Sequence, residues 1–194
     1  MNDEGQPTGI GGDDKCGVAV CLEMLEHFHV MKAAFFVEEE IGMMGSKEAD
    51  EEFFRNVGYA IQFDAPSSNW ITEVCSGQRL FDIDFKELIT EDLSNNGYTT
   101  FSNDPFTDVN QLAKKFDFSC LNLGCGYYRQ HTDNEYVIVE EVEDAIRAGK
   151  SLISKLGLEF YKHEKNKSVL SENRSKFYYD TYDYDANNEI KEIS

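Results

Sequence analysis

Gly58-Tyr-Ala-Ile-Gln-Phe63, with Asp64 directly after it, is a mostly apolar run of strand length that ends on a carboxylate. Two more runs share its texture: Val30-Met-Lys-Ala-Ala-Phe-Phe-Val37, and Ser119-Cys-Leu-Asn-Leu123 leading into the turn Gly124-Cys-Gly126. Apolar runs without strict alternation predict strands covered on both faces, as in a parallel or mixed sheet between helices. Helical patterns separate them. Val18, Leu22, Leu25 and Phe28 recur at the spacing of one helix face, and so do Val142, Ile146, Gly149, Ile153 and Leu156. Gly157 stands where that second helix should stop. Residues 69–76 and 78–85 read as an antiparallel pair turning at Gly77. The expected fold is α/β: a three-layer sandwich with a mixed, largely parallel sheet between helices.

The texture changes after residue 158. Lys162-His-Glu-Lys-Asn-Lys167 is charged, and Phe177-Tyr-Tyr-Asp-Thr-Tyr-Asp-Tyr-Asp185 alternates aromatic with acidic residues. Two units are therefore expected, a catalytic-type domain over 1–158 and a charged, Tyr/Asp-rich tail over 159–194. The tail reads either as a peripheral segment or as an aromatic partner-binding strand.

Composition narrows the functional classes. Of 194 residues, 41% are hydrophobic and 13% aromatic, enough to bury a core. The net charge of −19 opposes a phosphate backbone, so nucleic acid is not an expected partner. No run approaches the ~20 apolar residues of a membrane span, and no apolar leader follows Met1. The five cysteines, Cys16, Cys21, Cys75, Cys120 and Cys125, show no C-x-x-C spacing. They read as reduced core residues of a cytoplasmic protein.

Three carboxylate clusters fall at the ends of regular elements. Asp13 lies in Gly11-Gly-Asp-Asp-Lys-Cys-Gly17, a glycine-rich entry to the first helix. Glu38-Glu-Glu-Ile-Gly42 closes the 30–37 run, and Asp64 closes the 58–63 run. Open α/β sheets form their sites at such carboxyl ends. Carboxylates crowded there repel unless a cation shares the space, and a divalent metal serves. An acidic triplet in an acidic protein also reads as a solvated turn. His131, in Gly126-Tyr-Tyr-Arg-Gln-His-Thr-Asp-Asn-Glu135, turns the set of carboxylates into a zinc-type donor set.

Taken in order, Gly12-Asp-Asp-Lys-Cys-Gly17, Phe36-Val-Glu-Glu-Glu-Ile-Gly42, Asp64 and His131-Thr-Asp-Asn-Glu-Tyr136 resemble the co-catalytic zinc exopeptidases, the superfamily of peptidase T, the aminoacylases and the glutamate carboxypeptidases. The likeness covers residues 9–157. It implies a zinc-dependent aminopeptidase-like hydrolase of peptide or N-acyl amino-acid amide bonds, holding one or two zinc ions. Asp13 would bridge the two metals, Glu39 would be the general base, and Glu40 and His131 would bind one ion. Asp64 would bind the other. Asn134 and Glu135 would support structure rather than chemistry.

The chain departs from that pattern twice. Members carry a His-x-Asp strand ahead of the Gly-Asp-Asp-Lys run, whose histidine shares a zinc with Asp64, and residues 1–12 contain no histidine. The resemblance thus implies either a complementing chain or segment that supplies this strand, or a degenerate member kept as a binding or structural protein. Residues 65–130 also leave no room for the lid or dimerisation domain that many members insert. His27 and His29 stand about 20–24 Å from Asp13 along a helix and are no substitutes.

Overall fold

The computed structural model describes residues 8–104 and 106–164. The aromatic and acidic run at 177–185 and the rest of the tail beyond Glu164 lie outside the described residues. The helices are α1 (Gly12–His27), α2 (Met44–Lys47), α3 (Ile83–Asn95), α4 (Asp108–Lys115) and α5 (Val139–Leu156). The strands are β1 (Tyr59–Ala65), β2 (Trp70–Cys75), β3 (Gln78–Arg79), β4 (Thr100–Asp104), β5 (Ser119–Gly124), β6 (Tyr127–Tyr128) and β7 (Tyr136–Val137).

The main sheet is mixed. β1 pairs with β5 in parallel and β2 with β4 in parallel, while β5 and β3 both run antiparallel to β2. β5 is buried at every position, as a strand flanked by partners and covered on both faces should be. Successive residues of β1 identify the layers. Phe63 faces α1 and α5, where its ring lies against Gly149 and Met24. Gln62, one residue earlier, points to the opposite face and accepts from the Val109 N–H at the start of α4 at 2.9 Å. The α/β sandwich expected from the apolar runs is present. Among the described residues no helix is long and apolar enough to cross a membrane.

Three expectations are corrected. Residues 30–37 belong to no strand: the run bends at Val30 and Val37 and meets no ladder partner among the described residues. Val30 and Val37 are each 68% exposed as a result. The antiparallel turn at Gly77 forms with φ +76, but its second strand stops at Arg79 and Ile83 already opens α3. On α1 the buried face is Cys16, Val20 and Met24, whereas Val18, Leu22 and Leu25 are exposed. The helix is apolar on two sides, so periodicity alone selected the wrong one. On α5 the innermost residues are Ala145, Ala148, Gly149, Leu152 and Leu156, with Val142, Ile146 and Ile153 half-buried beside them. Gly157 ends it at φ +62, as expected.

α1 lies unusually close to β1. A Cβ on Gly17 would stand 1.9 Å from the Phe63 carbonyl oxygen. After α5 the chain returns to the sheet: Tyr161 donates its N–H to the Gly58 carbonyl and accepts from the Ser119 N–H with its own. His163 sits beside Asp82 at 3.4 Å.

Candidate functional site

Four segments far apart in sequence carry the acidic end of the sheet. The first is the entry to α1, where the Asp13–Asp14 peptide is cis and both residues lie outside helical geometry. The second is the turn after residue 37. There the Glu39 carbonyl accepts from the N–H groups of Gly42 and Met43, fixing Glu38, Glu39 and Glu40 at its head. The third is the end of β1, and the fourth is the loop between β6 and β7.

That last loop delivers His131. β6 and β7 pair antiparallel, and the Tyr128 and Tyr136 rings stack at 5.2 Å across the ladder. His131 sits at the tip with φ +61. Its Nε2 lies 2.7 Å from Glu40 Oε1 and 3.0 Å from Asp13 Oδ2. One ligand atom from each of Asp13, Glu40 and His131 lies within 4.8 Å of the others. Burial works against charge on the imidazole, but hydrogen bonds and the negative charge of Glu40 and Asp13 outweigh it and raise its pKa.

The donors suit one zinc ion. Two carboxylate oxygens and an imidazole nitrogen are zinc ligands, and three protein ligands with an open fourth position is the catalytic arrangement. The present contacts need open by only about half an ångström for Zn–N and Zn–O bonds of about 2.0–2.2 Å.

Asp64 stands close enough to Asp13 for the two carboxyl groups to shift one another. It does not join the Asp13–Glu40–His131 group. The β1 ladder slips between Gln62 and Ala65, and Asn122 on β5 fills the gap. The Asn122 Oδ1 accepts from the Asp64 N–H at 2.9 Å, and its Nδ2 donates to the Asp64 carbonyl at 2.9 Å. The irregularity re-aims the side chain at the site. Gln62 Nε2 then donates to Asp64 Oδ2 at 2.9 Å, and the Tyr127 hydroxyl reaches Oδ1 at 3.3 Å. Burial, Asp13 and Glu39 together push the Asp64 carboxyl up to about 7. No histidine faces it. His27 packs edge-on against Phe28, His29 lies at the far end of α1, and His163 pairs with Asp82.

Glu39 is half-buried beside Glu40, Asp108, Asp13 and Asp104. Burial first, then those charges, raise its carboxyl to about 7. Asp14 is driven higher, to about 9, by burial and by Asp64, although it accepts from the Gly17 N–H at 3.0 Å. Asp104, at the end of β4, is raised to about 6 by burial. Its native pKa lies above the unfolded value, so its contribution to stability is full below about pH 4 and is lost as pH rises through 6. Asp104→Asn keeps an acceptor for the Phe106 N–H. It should stabilise the chain by about 1–2 kcal/mol at pH 7 and leave it unchanged near pH 4. Urea denaturation at the two pH values measures the difference.

Glu135 has the supporting place the sequence suggested, while Gln62, Asn122 and Tyr127 were not singled out there. Glu135 is 9% exposed. Its Oε2 accepts from the Gly11 N–H at 2.6 Å and its Oε1 from the Asp13 N–H at 2.9 Å, tying the α1 entry to the His131 loop. Gln62, Asn122 and Tyr127 do the same for Asp64. Only Glu135 carried a signal, as part of the motif around His131.

No family model and no curated protein matches the sequence. Among the solved structures that share the fold are a chain of the dodecamer PhTET1-12s and the aminopeptidase APDkam598 from the archaeon Desulfurococcus kamchatkensis. The first matches with a TM-score of 0.54 and 19% identity over 75% of this chain. The second matches with a TM-score of 0.58 and 18% identity, again over 75%. The chain spans about half the length of either, 50% and 48%. The fold is thus aminopeptidase-like, which is the coarser part of the expected resemblance.

Proposed function

We propose that this chain is the metal-binding part of a zinc-dependent hydrolase of peptide or N-acyl amino-acid amide bonds. The convergence of Asp13, Glu40 and His131 carries the reading. The aminopeptidase-like fold supports it, and so does the crowding of four further carboxylates, Asp14, Glu38, Glu39 and Asp64, at the same end of the sheet.

In this reading Asp13, Glu40 and His131 hold one zinc. A bound zinc lowers the pKa of a water and polarises the scissile carbonyl. Glu39, beside Glu40 but outside the ligand group, takes the proton of the attacking water and passes it to the leaving amine. Glu135 keeps the Asp13 backbone in place, and Gln62 and Tyr127 keep Asp64 turned inward. Asp64 offers an oxygen to a second ion. A nitrogen ligand for that ion comes from a complementing segment, so the chain by itself has weak amidase activity.

The test pairs metal analysis with activity on aminoacyl-nitroanilides and N-acetyl amino acids. Glu39→Gln should lower the rate by at least about a hundredfold, within the range assigned to proton transfer, with zinc content unchanged. An undiminished rate would sink the role of Glu39. That no histidine faces Asp64 among the described residues favours one rival, a catalytically silent binding protein. A folded chain that takes up no zinc at neutral pH is the result expected of that rival.

A further inference from the structure

Two buried thiols meet behind the acidic end of the sheet. Cys16 lies near the start of α1 and is 5% exposed, and Cys125, directly after β5, is fully buried. The same two oxygen atoms bring them together. The Cys125 sulfur lies 3.3 Å from the Phe63 carbonyl oxygen and 3.9 Å from Asp14 Oδ1. A Cβ on Gly17, the residue after Cys16, would stand 1.9 Å from that carbonyl oxygen and 2.5 Å from that Oδ1. The close approach of α1 to β1 thus carries Cys16 up beside Cys125, and the two thiols are close enough to shift one another.

The pair is unequal. Burial pushes the Cys21 thiol up to about 11 and the Cys75 thiol up to about 12. Cys125 is raised as well, by Cys16 first and then by burial. Of the five cysteines Cys16 alone is lowered, because the Cys125 thiol acts as a donor toward it, against the opposing burial and the charges of Glu135 and Asp13. Cys16 is therefore the better nucleophile, and it is the one of the two with surface to offer a reagent. Neither sulfur belongs to the Asp13–Glu40–His131 group, so the proposed hydrolysis makes no use of them.

We infer that Cys16 and Cys125 are a redox-sensitive link: hydrogen peroxide converts the two thiols into a disulfide that ties the start of α1 to the turn after β5. The Cys16 sulfur, as its thiolate, attacks one peroxide oxygen. An S–O bond forms as the O–O bond breaks, and the departing hydroxide takes up the proton that Cys16 released, leaving water and a sulfenic acid. The Cys125 sulfur then attacks the Cys16 sulfur. The S–S bond forms as the S–O bond breaks, and the hydroxide leaves with the Cys125 proton as a second water. The thiols lose two electrons and the peroxide gains them. Asp13, Asp14, Asp64 and Glu135 oppose a thiolate here, so the reaction is slow and needs excess peroxide. The link closes a loop over most of the described chain, and long loops gain most from closure. It stands without the metal reading, since no sulfur is a ligand in that reading.

The experiment treats the full chain with excess hydrogen peroxide in EDTA. Remaining thiols are alkylated with iodoacetamide in denaturant, and unreduced peptides are mapped by mass spectrometry. The expected product is one crosslinked peptide pair carrying Cys16 and Cys125, with Cys21, Cys75 and Cys120 alkylated. Dithiothreitol should restore all five thiols. The oxidised chain should show a urea midpoint higher by at least about 1 M, lost again on reduction. Cys16→Ser and Cys125→Ala, each a small side chain in a buried place, should show neither the crosslink nor the shift. The absence of a crosslink at any peroxide excess overturns the inference. So does sulfinic acid on Cys16 beside an unreacted Cys125, a crosslink through Cys21 or between two chains, or a Cys16–Cys125 crosslink that leaves the midpoint where it was.

Discussion

Replacing His131 by alanine is expected to lower zinc affinity by at least about a hundredfold while leaving the metal-free fold as stable as before. Removing a group that merely supports a ligand already costs about 10- to 100-fold, and His131 is the one histidine grouped with Asp13 and Glu40 among the described residues. Stability should not follow affinity, because the histidine side chain is 62% exposed and its pairing with Glu40 is a surface contact worth about 0–1 kcal/mol. The backbone at His131 is left-handed, and alanine there remains strained much as histidine is. Isothermal titration with zinc and urea denaturation in EDTA separate the two effects. Equal zinc affinity in the variant and the parent would remove His131 from the site.

The second large effect is on folding. Gly17→Ala should destabilise the chain by about 3 kcal/mol or more, at the upper end of what overpacking costs. The added methyl would sit 1.9 Å from the Phe63 carbonyl oxygen and 2.5 Å from Asp14 Oδ1. The first obstacle is backbone in the middle of a strand, so α1 as a whole has to move off β1. Gly149→Ala provides the contrast. Its methyl meets the Phe63 ring at 2.9 Å and the Met24 sulfur at 3.2 Å, both side-chain atoms that can turn aside. Its cost should be clearly smaller. Equal denaturation midpoints for the two variants would show that the α1–β1 approach is not tight.

How far these features were legible in the sequence depended on whether the cause was local. The apolar runs that became β1 and β5 announced themselves, and so did Gly77, Gly157 and the carboxylates at element ends. Residues 30–37 are mostly apolar like β1, yet a strand is defined by its neighbours and this run has none to pair with among the described residues. α1 misled for a related reason: Val18, Leu22 and Leu25 repeat with a good period, but the sheet lies under Cys16, Val20 and Met24. The donors Asp13, Glu40 and His131 could be chosen from motif order, and the structure brings them together. Asn122 and Tyr127 could not, because their importance lies in contacts with Asp64 across 58 and 63 residues of chain, nor could Gln62, which Thr107 and Val109 engage across 45 and 47. Asp64 shows both sides: its place at the end of a strand was readable, while the slipped ladder that aims it was not.

The strap from Glu135 to Gly11 and Asp13 has a consequence for when the site comes into being. It closes a loop of 124 residues, so nearly the whole described chain must be in place before the entry to α1 is fixed. Contacts of such separation form late, after local helices and neighbouring strands have condensed. During synthesis the first ligand emerges long before the last, and metal has no assembled cradle until the His131 loop has left the ribosome and docked. In the proposed metal reading, capture of an ion reports completion of the fold rather than initiating it, and a chain cut short before residue 135 would be blind to metal however well its earlier parts were made.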